Sequence, residues 1–351
     1  MRFRFPQRLN LVTTILWGLR IAVVVLVLAG SWATLSKGLL QPSDWRDLVV
    51  YGIAQGSVYA LIALGYTLVY GVLFMINFAH GDVFMSGAMT AFFVARSFGD
   101  SGFINQNPIV ALAIILAVSM FTSMVVAIIL ERVAYRPLRR APRLVPLITA
   151  IGASLFISNS VRGLYGERVQ PYPDVDVLDG RMNILGIPIL KTQALVIVSA
   201  VVLMVALVYF VERTRTGRAM RAVSEDKDVA ALMGINVDRI IVTTFAVGGL
   251  LAGAAGFLYA LIYGQVNWVM GFLPGIKAFT AAVLGGIGNI GGAMLGGLSL
   301  GVLENVGPPL LLSGAGVPSP NQLRDVIAFT VLVLVLIFRP NGILGSREPG
   351  K

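Results

Sequence analysis

The sequence contains one histidine, His80, which stands three residues after Asn77 and two before Asp82 in an otherwise apolar run. An imidazole beside a carboxylate can pass protons, and ionisable groups inside a membrane-length stretch are functional candidates by default. The competing reading is structural: these residues cap helix ends at a membrane interface. Glu304, next to Asn305, is a second polar point late in a glycine-rich segment, where it either pairs with a polar group of another helix or lines a path. Gln55, Tyr59, Lys277 and Asn289 complete the candidates for a pathway lining.

The chemistry these residue types exclude is equally informative. The chain has no cysteine, which removes disulfides, thiolate metal sites and cysteine nucleophiles. No His/Asp/Glu cluster has metal-ligand spacing, so neither a metal nor a cofactor is expected. Gly286, Gly288 and Gly291 match the G-x-G-x-x-G dinucleotide pattern, but they lie in a membrane-length apolar stretch rather than between a strand and a helix. Glycine pairs such as Gly292/Gly296 and Gly297/Gly301 suit close packing of membrane helices instead. No G-x-x-x-x-G-K-[ST] motif occurs, so any energy from ATP must come from a partner. The groups an intramembrane enzyme would need are barely offered, and no enzyme is expected.

The elements that must position these residues are membrane spans. Of 351 residues, 57% are hydrophobic and 13% charged, with 39 glycines and a mean hydropathy of +0.84. A soluble domain cannot hide that much apolar surface, and several runs reach the roughly 20 residues that cross a bilayer. The expected fold class is all-α: a polytopic transmembrane helical bundle of about 8 to 10 spans, with broken or re-entrant glycine-rich helices. Spans are expected at 21–35, 82–98, 108–130, 144–161, 194–211, 240–263 and 325–338. The run 48–79 is too long for one crossing of a ~30 Å core, so a span followed by a break is expected there, marked by Gly71, Asn77, His80 and Gly81. The run 275–306 is expected to form two helices meeting at 288–292, or one re-entrant hairpin.

The net charge of +10 would suit nucleic acid if it were evenly spread, but it is not. Arg132, Arg136, Arg139, Arg140 and Arg143 share one loop with Glu131 as its only acid, and a second charged island spans 212–239. Basic loops beside apolar spans follow the positive-inside rule, which places both loops and both termini in the cytoplasm and removes the case for nucleic acid. Arg2, Arg4 and Arg8 give the start the look of a signal sequence, yet no small-residue cleavage pattern follows, so a first span with its N-terminus inside is expected. The segment 163–192, with Glu167, Asp174, Asp176 and Asp179, is the largest outside loop.

The island at 212–239 carries signals beyond topology. Ser224 can cap a helix whose first turn holds Glu225 and Asp226, and Gly234 can close it in the left-handed conformation, which predicts a helix of about nine residues. Val229, Leu232 and Met233 fall at i, i+3 and i+4 and form an apolar stripe. A loop that only needed to stay wet has no use for such a stripe, so this is expected to be a docking element on the cytoplasmic face.

Three stretches together resemble the membrane permease subunits of branched-chain amino acid ABC importers: GSVYALIALGYTLVYGVLFMINFAHGDVFMSGA at 56–88, TRTGRAMRAVSEDKDVAALMGIN at 214–236, and KAFTAAVLGGIGNIGGAMLGGLSLGVLE at 277–304. The resemblance implies that the second stretch is a coupling loop fitting a cleft in a cytoplasmic ATPase subunit. Its contact residues would be Arg218, Arg221, Ala230, Ala231, Leu232, Gly234 and Ile235, with Leu232 added from the apolar stripe. It also implies a second related permease, two ATPases, an extracytoplasmic solute-binding protein, and a place in the plasma (inner) membrane of a prokaryote. The expected division is 1–47 as an N-terminal extension with the first span, 48–345 as the permease domain and 346–351 as a cytoplasmic tail. The expected cargo is a branched-chain or other hydrophobic amino acid, although the same family also carries urea and short amides. From another class, a self-sufficient secondary carrier or channel would use His80 and Asp82 as a proton relay.

Overall fold

The structure, a computed structural model, describes residues 11–345 apart from 140, 143, 185 and 340. Arg2, Arg4, Arg8, Arg140, Arg143 and the tail 346–351 therefore lie outside the described residues. The helices are α1 (Leu11–Ser36), α2 (Pro42–Leu73), α3 (His80–Asp100), the single turn α4 (Phe103–Gln106), α5 (Pro108–Leu130), α6 (Leu144–Tyr165), α7 (Lys191–Arg213), α8 (Arg215–Glu225), α9 (Lys227–Leu232), α10 (Val237–Tyr263), α11 (Phe272–Gly285), α12 (Ile290–Leu312) and α13 (Arg324–Phe338). Four short strands, β1 (Gln170–Pro171), β2 (Arg181–Ile184), β3 (Ile187–Leu190) and β4 (Gln265–Val266), form two antiparallel pairs, β1 with β4 and β2 with β3. The fold is all-α in class. Among the described residues, eight helical stretches are long and apolar enough to cross a membrane, and α3 adds another helix of 21 residues.

The centre of the bundle is α2, packed against α10 and α12 and buried almost continuously from Ala54 to Val69. Pro42 starts it at a position where its missing N–H costs nothing, and Asp44 accepts from the Gln41 N–H at 2.9 Å. It then runs unbroken for 32 residues, about 48 Å, longer than the ~30 Å hydrocarbon core. The expected break therefore falls at 74–79 rather than at Gly71, which stays helical, and position 48 lies within α2. An apolar pattern does not reveal where a helix buried on every side ends. Phe74 closes α2 in the left-handed region, φ 57°, unusual for a residue with a side chain.

Glycine sets the close approaches. A Cβ at Gly301 of α12 would overlap the backbone of Gly52 and Gly56 of α2, and one at Gly297 would overlap Ala60. Gly249 and Gly253 of α10 lie against α5 in the same way, and Ser119 Oγ donates to Gly253 O at 2.6 Å across that contact. These are the small-residue seams that membrane helices use. The turn between α11 and α12 falls at 286–289, slightly before the expected 288–292, with Gly286 and Gly288 at φ 106° and 94°. The G-x-G-x-x-G pattern thus makes a tight helix–helix turn. At 14 residues, α11 spans only about 21 Å, and it begins against α3, with Gly271 and Gly275 packed on Gly81. The 275–306 run is two helices, the first of them partial.

Loop contacts sort the helix ends onto two faces. On one, Lys37 Nζ donates to Gly314 O at 2.5 Å, Tyr172 N–H to Gly264 O at 2.8 Å and Asp176 N–H to Asn105 Oδ1 at 3.1 Å, while Arg181 lies 3.7 Å from Asp47. On the other, Arg136 and Arg139 pair with Asp238, and Lys227 lies over the Phe74 ring. The Ile343 and Leu344 N–H groups donate to Leu284 and Gly285 at that end of the bundle. The second face carries the arginine-rich loops and is therefore cytoplasmic. Since the chain lacks cysteine, single cysteines at Asp228 and Asp176 give a direct check. The first should be labelled by an impermeant maleimide only from the cytoplasm and the second only from outside; labelling of both from one side would break this topology.

Candidate functional site

On the cytoplasmic face, the charged island folds as two helices rather than one. Thr214 caps α8, its Oγ1 accepting from the Gly217 N–H at 3.0 Å, and Gly217 packs so tightly on α7 that a Cβ would strike the carbonyl oxygens of Phe210 and Val211. Met220 and Val223 bury the inner face of α8. The cap of α9 is Asp226, whose Oδ1 accepts from the N–H groups of Asp228 at 2.8 Å and Val229 at 2.9 Å. The expected cap, Ser224, instead lies inside α8 and donates to Arg221 O. An ionised carboxylate on an extended residue is the stronger acceptor for free N–H groups, so α9 starts later and is six residues long, not nine. Gly234 closes it as expected, at φ 83°, with the Ile235 N–H donating to Ala230 O at 3.1 Å.

The orientation of α9 follows from these caps. Ala230 faces inward and is buried, whereas Val229, Leu232 and Met233 are 54%, 86% and 78% exposed. Ala231 and Gly234 also face outward, and Ile235 is half-buried. Arg218 and Arg221 are exposed on α8, the second donating to Glu212 O at 3.2 Å. Lys227 sits 5.8 Å from the Phe74 ring centroid, which ties α9 to the end of α2. Partial burial and then the nearby Arg139 charge hold the Lys227 ammonium below its usual pKa.

A second constellation lies inside the bundle. Lys277 of α11 bridges Glu304 of α12 and, at 2.6 Å, Asp325 of α13, and its Nζ is 5.9 Å from the Tyr59 ring centroid. Asn305 Nδ2 donates to Gln55 Oε1 at 2.8 Å, and Gln55 Nε2 donates to the Tyr59 hydroxyl at 2.5 Å. Gln55, Tyr59, Lys277 and Glu304 thus converge from three helices. Lys277 and Glu304 are 7% and 1% exposed, and charges at such depth persist only when paired. Asn289 stands apart: its Oδ1 accepts from the Gly292 N–H as the cap of α12, and its Nδ2 donates to Leu344 O.

His80 does not act as a helix cap at an interface. It is the first residue of α3, but Ala79 occupies the cap position, and the imidazole is buried edge-on to Tyr66, with ring centroids 4.9 Å apart. Gly65 leaves the room that the ring fills. His80 and Asp82, two apart on a helix, do not face one another, so the geometry offers no direct relay between them. Asn77 accepts from the Tyr135 hydroxyl at 2.9 Å. His80→Ala should lower uptake by less than roughly tenfold and leave its pH profile unchanged from about pH 5.5 to 8, where a relay imidazole would titrate. A steep wild-type profile that flattens in the variant would revive the carrier reading.

Sequence reasoning missed one cluster. Glu131, fully buried in a single π-helical turn at Glu131–Tyr135, pairs with Arg139, which also pairs with Asp238 in the first turn of α10. This ties the loop after α5 to the chain just beyond α9. Glu131 as the sole acid among arginines was its only signal, and nothing local identified Asp238 as the far partner.

Residues 48–336 match the family model described as branched-chain amino acid transport system / permease component. The chain is 45% identical over 306 residues to the high-affinity branched-chain amino acid transport system permease protein BraD of Pseudomonas aeruginosa, a match covering 86% of this chain and 96% of that protein. It is 42% identical over 303 residues to LivH of Escherichia coli K12, named as the same kind of permease, covering 86% and 95%. A probable branched-chain amino acid transport permease protein LivH of Methanocaldococcus jannaschii is 26% identical over 314 residues, covering 88% and 95%. With a family model spanning most of its length, relatives matched nearly end to end, and a bundle of membrane-length helices, this chain belongs to the family of branched-chain amino acid transport system permease components.

Proposed function

We propose that this chain is the membrane permease subunit of an ABC importer, taking up branched-chain or other hydrophobic amino acids across the inner membrane of a prokaryote. The observation that carries the reading is the likeness to BraD and LivH over 86% of this chain. The geometry supports it on the wet side of the membrane, where capped helices hold the exposed stripe Val229, Leu232 and Met233 in place for a partner. In this reading α8 and α9 dock in a cleft of a cytoplasmic ATPase, a second related permease completes the pathway, and an extracytoplasmic solute-binding protein delivers the cargo. The chain does no chemistry on that cargo, and it needs no cofactor. Residues 48–345 act as the permease domain, with 1–47 as an extension and 346–351 as a tail.

The test is reconstitution of the chain with its partner subunits in proteoliposomes and measurement of labelled leucine uptake. Uptake should require hydrolysable ATP inside and persist when the proton gradient is collapsed. Uptake of urea in place of leucine, or leucine uptake without ATP that a proton gradient drives, would overturn the reading.

A further inference from the structure

The outer end of the bundle holds a cavity of about 480 Å³, within the range of small-molecule sites, and its wall carries both signs of charge. Asp44 and Asp47 come from the first turns of α2, Arg181 from β2 and Arg324 from the start of α13. Two of the four already have partners of opposite sign: Asp47 lies 3.7 Å from Arg181 and 3.0 Å from Arg46. The other two do not. Arg324 has no carboxylate partner among the described residues; its guanidinium lies 5.9 Å from the Tyr51 ring centroid, and its buried Nε makes no hydrogen bond. Asp44, at the exposed rim of the cavity, uses one oxygen to accept from the Gln41 N–H and has no cation on either among the described residues. Between these charges the wall carries an aliphatic patch, Leu48, Pro188 and Leu190, beside the polar groups of Tyr51, Gln193 and Asn321.

A guanidinium without an anion and a carboxylate without a cation, facing one cavity with an aliphatic patch in its wall, complement a ligand that carries both charges and an aliphatic group. We propose that this cavity is a binding site for a zwitterionic aliphatic α-amino acid, its carboxylate held by Arg324, its ammonium by Asp44 and its side chain against Leu48, Pro188 and Leu190. The assignment rests on the function proposed above and adds a place to it. Arg suits the carboxylate because its planar donors match the two oxygens, and the indifferent hydration of a neutral amide would leave both charges unanswered. The position is also apt: the residue after Arg324 is Asp325, whose carboxylate reaches the buried Lys277, so the cavity stands at the outer end of the polar network that joins α2, α11 and α12.

The test uses the permease–ATPase complex without binding protein, probed with labelled leucine and two competitors: leucinamide, which lacks the carboxylate, and 4-methylpentanoate, which lacks the ammonium. The wild-type complex should bind leucine about tenfold or more tightly than either analogue, the scale of one lost charge-assisted hydrogen bond. Arg324→Gln should erase the preference over leucinamide only, and Arg324→Lys should restore part of it. Asp44→Asn, which keeps the helix cap, should erase the preference over 4-methylpentanoate only. ATPase co-purification reports that each variant has folded. An importer that takes up leucine but whose complex binds none, or whose variants keep both preferences, overturns the site and leaves the proposed function standing. An importer that takes up no amino acid removes that function, and the site falls with it when the complex also fails to bind leucine.

Discussion

Leu232→Asp should abolish leucine uptake by the assembled importer while leaving the permease at normal levels in the membrane. Leu232 is 86% exposed at the tip of α9, so the isolated chain loses almost nothing when it changes. In a docked complex the same side chain would be covered. Burying a leucine contributes about 1.5–3 kcal/mol, and a carboxylate in its place adds a desolvation cost, so docking should weaken at least tenfold to a hundredfold. Gly234→Val should reach the same end by another route. At φ 83° a β-branched residue is strained, so the turn that sends the chain from α9 into α10 would be rebuilt and the stripe misdirected. Co-purification of the ATPase and substrate-stimulated ATP hydrolysis measure both effects. If the two variants keep the ATPase and full stimulated turnover, the island serves only topology.

Lys277→Met should strongly destabilise the bundle. It leaves Glu304, 1% exposed, with a buried charge and no cation, and removes the link from α11 and α12 to Asp325 on α13. Breaking a buried pair from one side costs about 3–5 kcal/mol, enough to lower the melting temperature of the detergent-solubilised protein by several degrees. Replacing both partners, as Lys277→Met with Glu304→Leu, removes the orphaned charge and should recover most of that loss. Thermal unfolding of the two single variants and the double variant separates a pairing role from any other. A Lys277→Met protein as stable as the wild type would show that Lys277 and Glu304 are not held together in the folded chain.

Several features were settled by short stretches of residues alone. Spans at 108–130 and 240–263 were expected within a few residues of α5 and α10, because the length of an apolar run and the charges at its ends are local properties that the bilayer interprets directly. The closure of α9 at Gly234 was equally local, since only a residue without a side chain sits easily at that φ. Its start was misplaced because Ser224 and Asp226 both offer cap oxygens, and the competition was decided by α8 running through the first of them. Tertiary structure alone decided the partners. Lys277 meets Glu304 across 27 residues and Asp325 on a further helix, and Glu131 meets Arg139 and through it Asp238. Residue types announced that such buried charges must be answered, but which charge answers which depends on how α11, α12 and α13 converge. For α11 and α12 that convergence is set by glycine seams such as Gly296 against Ala281 and Gly285, where backbones touch because no side chain stands between them, a relation that depends on how the two helices fold back on each other.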